Sequence, residues 1–195
     1  MKNHLTFGKL GRVALLGGVA LVGTVPSASS EDSPKAHVKR PVVPARRSDV
    51  STIEGIVNAS YEAISGGVGV PRQWGRDRTL YDPQMRFVSL GKDPNSGKVT
   101  RSSGTEQQFA DHADAYFMRV GFVEHELAHA IHRFGNVATV LSSYQGKETA
   151  TNRPADRGVN IFQLYNDGRR WWILSMVWDE ERPDNPLPPE LLPKN

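Results

Sequence analysis

His125-Glu126-Leu127-Ala128-His129 admits two backbones with opposite consequences. On a helix, side chains at i and i+4 stand about 5–6 Å apart, and two imidazoles can share one zinc ion at bonds of about 2.1 Å, the H-E-x-x-H arrangement of metallopeptidases. On a strand, four residues at about 3.3 Å each hold the same rings roughly 13 Å apart, on one face but beyond a common ion.

The local pattern alone leaves both open. Val123, Leu127, Ile131 and Phe134 recur at helical spacing, and Glu, Leu and Ala are good helix formers. Against this, no Ser, Thr, Asp or Asn caps a helix after Gly121, Val123, Leu127 and Ile131 also share one strand face, and Gly135-Asn136 suits a hairpin turn. A zinc site also lacks its third ligand. His132 and Gly135 stand where the extended metzincin motif needs glycine and histidine, and Glu148 lies in the polar run Gly146-Lys147-Glu148-Thr149. The peptidase reading is thus an alternative without a complete site, and no metal is expected.

The chain has 195 residues, which suits one domain with tails. Residues 1–30 read as a signal peptide: Lys2, Lys9 and Arg12 precede the apolar run Val13 to Val25, and Ser27-Ala28-Ser29-Ser30 supplies small residues for cleavage. An exported protein, periplasmic or secreted, is expected, with no membrane association after cleavage. The net charge of +3 resides in those three basic residues, so the rest carries 21 basic against 21 acidic side chains. No nucleic-acid partner is expected from a neutral domain. Lys35, Lys39, Arg40, Arg46 and Arg47 fall in a Pro/Ser-rich stretch, residues 31–50, read as a solvated linker. The absence of cysteine excludes disulfides, thiolate metal sites and a cysteine nucleophile.

From Ser51 the sequence becomes periodic. Ser51 and Glu54 form a capping box before Ile53, Ile56, Val57, Tyr61 and Ile64, and Gly66-Gly67 ends that helix. Pro71 opens a second helix through Trp74 to Tyr81, ended by Asp82-Pro83. Arg86 to Leu90 is a short strand, Asp93 to Gly97 a turn, and Thr105 with Gln108 caps a third helix that Gly121 closes. Val137–Tyr144, Val159–Tyr165 and Trp171–Trp178 alternate as strands, the last two joined near Asp167-Gly168. Residues 182–195 form a proline-rich tail that wraps the surface.

The succession Gly121-Phe122-Val123-Glu124, Arg133-Phe134-Gly135-Asn136-Val137-Ala138, Ser142-Ser143-Tyr144, Arg157-Gly158-Val159-Asn160, Gln163-Leu164, Asp167 to Ile173 and Trp178 to Pro183 resembles the nuclear-transport-factor-2-like (NTF2-like) superfamily, with its SnoaL-like branch the nearest. The resemblance covers about Ser51 to Pro193, with the domain proper at 51–181. It implies an α+β cone, three N-terminal helices packed in a strongly curved, mainly antiparallel sheet, with Phe122 to Phe134 a long strand. The same cone serves enzymes, small-molecule binders and dimerisation modules, so a homodimer is open and no catalytic residue carries over.

Two carboxylates remain as candidates from the residues themselves. Glu124 and Glu126 share a strand face with Phe122, Ala128, Ala130 and Phe134, and desolvation inside a cone would make either a base. The alternative is a solvated sheet face. His125 and His129 then share the opposite face with Leu127 and Ile131. Tyr144, Asn160 and Gln163 can supply the few polar groups of a pocket, with Trp74, Tyr81 and Trp178 as walls. Trp171 and Trp172, being adjacent, must face opposite sides of the sheet. The expectation is an exported protein whose cone takes a small, largely apolar molecule and no cofactor, with catalysis undecided. A non-catalytic dimerisation or binding module is the first alternative and the zinc peptidase the second.

Overall fold

The computed structural model describes residues 37–193, so the expected signal peptide lies outside the described residues. One six-stranded sheet dominates, built from β1 (Tyr81–Lys92), β2 (Val99–Gly104), β3 (Phe122–Phe134), β4 (Val137–Glu148), β5 (Arg153–Asn166) and β6 (Trp171–Glu180). Their spatial order is β2-β1-β6-β5-β4-β3, antiparallel throughout except where β1 runs parallel to β6. Register shifts interrupt four of the five ladders, between Tyr81 and Arg86, Glu126 and Ala128, Gln145 and Lys147, and Gln163 and Leu164. Each such irregularity bends its strand, and together they curl the sheet around the helices.

Helix α2 (Ile53–Ile64) fills the concave face with Ile53, Ile56, Val57 and Tyr61, against Tyr81, Phe87, Val140, Phe162 and Ile173. Its cap is Thr52, whose hydroxyl accepts the Gly55 N–H at 2.9 Å, one residue beyond the expected Ser51. Helix α4 (Glu106–Val120) carries the expected Thr105–Gln108 capping box and ends at Gly121 with φ of 61°. A Cβ at Gly121 would stand 2.5 Å from the Val68 nitrogen, so both the turn and the close approach require glycine. A second core joins Trp74, Ala110, Ala113, Phe117 and Phe122, the last two rings stacked at 4.4 Å.

Several local expectations are corrected. There are four described α-helices rather than three, because Arg47–Val50 forms a one-turn α1 and the Pro71 helix shrinks to α3 (Trp74–Asp77). β1 begins at Tyr81 rather than Arg86. Pro83, with no N–H to give a ladder, sits inside the Tyr81/Arg86 register shift, where strands tolerate proline. β2, composed of Val-Thr-Arg-Ser-Ser-Gly, went unread because only one of its residues is apolar.

Both flanking segments pack on the domain. The stretch read as solvated linker lies, from residue 37 on, along α4 and α3. The Val38 N–H donates to Asp111 Oδ1 at 2.7 Å, Arg40 binds Glu106 and Gln107, and Arg76 holds Asp49 through two bonds of 2.7 and 3.0 Å. The tail crosses the convex face, buries Leu187 and Leu191, and forms a 3-10 turn at Pro189–Leu191.

Candidate functional site

The backbone over His125 to His129 is extended, and the H-E-x-x-H reading fails on that account. It fails twice, because the strand also carries a bulge. Glu126 pairs with Tyr144 while Ala128 pairs with Ser143, so Leu127 is the extra residue. A bulge reverses the alternation of faces beyond it. Phe122, Glu124 and Glu126 therefore share the concave face with His129, Ile131 and Arg133, whereas His125 lies on the convex face with Ala128 and Ala130. The expected shared face of His125 and His129 is thereby corrected. Glu148 is engaged elsewhere, accepting bonds from Tyr116, Thr151 and Arg153. Among the described residues, no group of three or more His, Asp or Glu side chains is placed to hold a metal ion.

The bulge creates a contact that uniform alternation would forbid. His129 Nδ1 stands 2.8 Å from Glu126 Oε2, and Ser142 Oγ donates to Glu126 Oε1 at 2.6 Å. Ser142 in turn meets the Tyr61 hydroxyl at 2.7 Å, and Asn160 Nδ2 donates to that hydroxyl at 3.1 Å. Ser142 has one hydrogen and Glu126 takes it, so Tyr61 must donate to Ser142. The chain Asn160–Tyr61–Ser142–Glu126 thus points every hydrogen toward the carboxylate. It draws on α2, β3, β4 and β5, running from fully buried Ser142 to half-buried Glu126 and the more exposed His129.

A second set of acids occupies the same concave face. Glu124 of β3, Asp156 of β5 and Glu180 of β6 surround the Tyr144 hydroxyl, whose ionisation all three oppose. Burial, then repulsion from Asp156, holds Glu124 well above the usual carboxylate range. Burial, then the charge of Glu180, raises Asp156 to about 6. Glu180 is pushed up by burial, with Arg182 acting the other way. The Tyr61 and Tyr144 phenols are pushed up chiefly by burial. Asp156 Oδ1 is buried without a protein hydrogen-bond partner, a costly state that native structures seldom leave unexplained. Ser65, the cap that ends α2, bonds both backbone groups of Glu124 and so fixes that strand against the helix.

The residues expected from sequence divide between these clusters and other places. Glu124, Glu126, Tyr144 and Asn160 converge on the concave face beside Tyr61. Trp178 is part of the same wall, edge-on to Phe87 at 6.0 Å. Tyr81 lies deeper, donating to Asp77 Oδ1 at 3.2 Å. Trp74 is in the second core, where its Nε1 donates to Asp114 Oδ1 at 2.6 Å. Gln163 lies on the convex face, accepting from Thr139 at 3.0 Å, because it stands three positions beyond Asn160 on an alternating strand. Of the tryptophan pair, Trp171 is buried and Trp172 faces outward, stacked with Tyr165 at 6.5 Å.

Tyr61, Ser142, Asp156 and Glu180 escaped the sequence reading. Asp156 had a usable signal: with β5 begun at Arg153, the row Asp156, Gly158, Asn160, Phe162, Leu164 reads as one inward face bearing an acid and an amide. The described surface also holds a groove of about 210 Å³ on the convex side, where Val159, Ile161 and Val177 meet Leu187 and Pro188 of the tail.

No family model matches the chain, and no curated protein does. The solved structures it matches include proteins described as NTF2-like or as having a cystatin-like fold. An NTF2-like protein of unknown function from Methylobacillus flagellatus KT is 14% identical over 68% of this chain and 99% of its own, with a TM-score of 0.43. The beta subunit of a putative aromatic-ring-hydroxylating dioxygenase from Novosphingobium aromaticivorans is 13% identical over 56% of this chain and 75% of its own, with a TM-score of 0.44. The association domain of the C. elegans protein CaMKII is 13% identical over 65% of this chain and 91% of its own, with a TM-score of 0.42.

Proposed function

We propose that this is an exported NTF2-like protein whose cone receives a small, largely apolar molecule, with the polar end of that molecule beside Glu124, Asp156 and Tyr144. The observation that carries the reading is the buried, unpartnered Oδ1 of Asp156 among acids contributed by three strands, on a face otherwise made of Tyr61, Phe87, Phe162, Met176 and Trp178. Perturbed acids that converge on an orphaned oxygen favour a functional role, and a ligand there requires the core side chains packed around them to move aside. A hydrogen-bond donor on the ligand would satisfy the orphaned oxygen.

The test is native mass spectrometry and thermal-shift screening of the mature protein against small apolar alcohols, phenols and amines, repeated on Glu124→Gln and Asp156→Asn. Binding that weakens at least tenfold in Asp156→Asn supports the reading, and binding indifferent to both changes overturns the placement. N-terminal sequencing of protein recovered outside the cytoplasm checks export, with a new terminus expected near Ser30.

Association through the sheet is the second reading, favoured by exposed Phe134, Val137, Ile161 and Leu174. Light scattering of the purified protein decides it: a dimer at micromolar concentration supports it and a monomer removes it.

A further inference from the structure

We propose that His129 is an oriented general base, held by Glu126, with its Nε2 free to take a proton from water or a hydroxyl at the edge of the sheet beside α2. This site shares the concave face with the acids around Tyr144, Glu126 standing opposite Tyr144 across the ladder, but it does not rest on a ligand occupying the cone.

Three observations carry it. First, the imidazole is tied to a carboxylate through Nδ1 at 2.8 Å, the bond by which an acid fixes the tautomer and ring plane of a catalytic base. Second, Glu126 is itself immobilised. Its other oxygen takes the Ser142 hydrogen at 2.6 Å, Ser142 is locked by the Tyr61 hydroxyl and Tyr61 in turn by Asn160, all three buried. An exposed pair formed by chance has no such chain of support behind it, whereas a preorganised site needs one. Third, the pair lies on the outermost strand of the sheet, with 36% of the His129 side chain open to solvent. The bulge at Leu127 is what brings His129 onto Glu126's face at all.

The chemistry this arrangement fits is attack by water on an activated ester. Nε2 accepts one proton of the attacking water as its oxygen bonds to the carbonyl carbon. The tetrahedral intermediate expels the alkoxide or phenoxide, and Nε2 returns its proton to solvent. His129 is the catalytic residue; Glu126, Ser142 and Tyr61 are positioning residues, since they act through it.

The experiment uses p-nitrophenyl acetate at pH 8 with the mature protein, its variants and an equal concentration of free imidazole, alongside nitrogen-15 NMR of the histidine rings. The expected wild-type rate exceeds that of free imidazole by about 100-fold, and His129→Ala returns it to background while His125→Ala and His132→Ala leave it unchanged. The wild-type ring is expected to carry its hydrogen on Nδ1. Glu126→Gln should mix the tautomers and lower the rate about tenfold, and Ser142→Thr should keep the activity that Ser142→Ala loses. A wild-type rate matched by His129→Ala, or a His129 ring hydrogen on Nε2, overturns the proposal. Because the readout needs no cone ligand, failure here leaves the cone reading standing, and failure of the cone screen leaves this one standing.

Discussion

Gly146 leaves open the space that Asp156 uses: a Cβ built on Gly146 would stand 2.2 Å from Asp156 Oδ1 and 3.1 Å from the Phe122 ring. The two residues sit on neighbouring strands at the Gln145/Lys147 register shift, where β5 supplies one extra residue opposite β4. Gly146→Ala should therefore destabilise by about 1–3 kcal/mol through overpacking. Asp156→Ala removes the nearer obstacle, so the same alanine should cost less in that background. Urea unfolding of the two single variants and the double variant measures the coupling, and additive losses would refute the contact.

The acid in that space has a pH signature. Asp156 titrates near 6 when folded, against an ordinary aspartate value of about 3.9 in the unfolded chain. A raised folded value means that the stability is full below the unfolded value and is lost as pH climbs through the folded one. Unfolding free energy should fall between pH 4 and about 6 by at most about 3 kcal/mol. Glu124 and Glu180, facing the same place and also raised, add loss of the same sign. Asp156→Asn removes the charge, so at pH 7 it should be more stable than the wild type and flatter across that window. Chemical denaturation at half-unit pH steps provides the comparison.

Much of this architecture was legible because its signals are local. The Thr105–Gln108 box, the glycine at Gly121 and the Asp167-Gly168 hairpin each depend on a few adjacent residues, and each appears where its chemistry places it. The extended state of Phe122–Phe134 required its neighbours, since its own composition favours a helix. The bulge at Leu127 was not legible: no glycine or proline marks it, and its cause is the register of β4. The expected histidine face was lost with it. Tyr61 and Ser142 were hidden for a related reason, as each looks like an ordinary helix or strand residue until the fold brings together two positions 81 apart in sequence.

Arg76 locks the segment before residue 51 to the domain. It donates twice to Asp49, whose carboxyl burial raises but whose bonds to Arg76 bring below the usual range, and once to Glu62 at 2.7 Å. Arg76→Ala leaves Asp49 buried and unpaired, at a cost of roughly 3 kcal/mol. Arg76→Lys keeps the charge without the fork and should lose less. Because the Asp49 value is lowered, its contribution is present above the unfolded value and disappears as pH falls, opposite in sign to Asp156. Arg76→Ala should accordingly blunt the acid-side loss of stability, which thermal melts from pH 5 down to pH 2 would reveal.

Adjacent serines hold the two sides of the bulge. Ser142 faces the concave side and binds Glu126. Ser143 faces the convex side, where its hydroxyl accepts the Ala128 N–H at 3.1 Å and donates to the Leu191 carbonyl at 2.6 Å. One hydroxyl thereby satisfies the strand where the bulge disturbs its ladder and anchors the tail across it. Ser143 and Leu191 are almost wholly buried, so Ser143→Ala strands two backbone groups at about 1–3 kcal/mol. Leu191→Ala opens a cavity at about 2–5 kcal/mol. Since both changes release the same stretch of tail, the double variant should lose less than the sum of the single losses, by 0.5 kcal/mol or more on the scale of coupled neighbours. Hydrogen exchange at Ala128 offers an independent reading: its amide should be protected in the wild type and exchange faster in Ser143→Ala, and equal rates would mean that the serine does not hold the bulge.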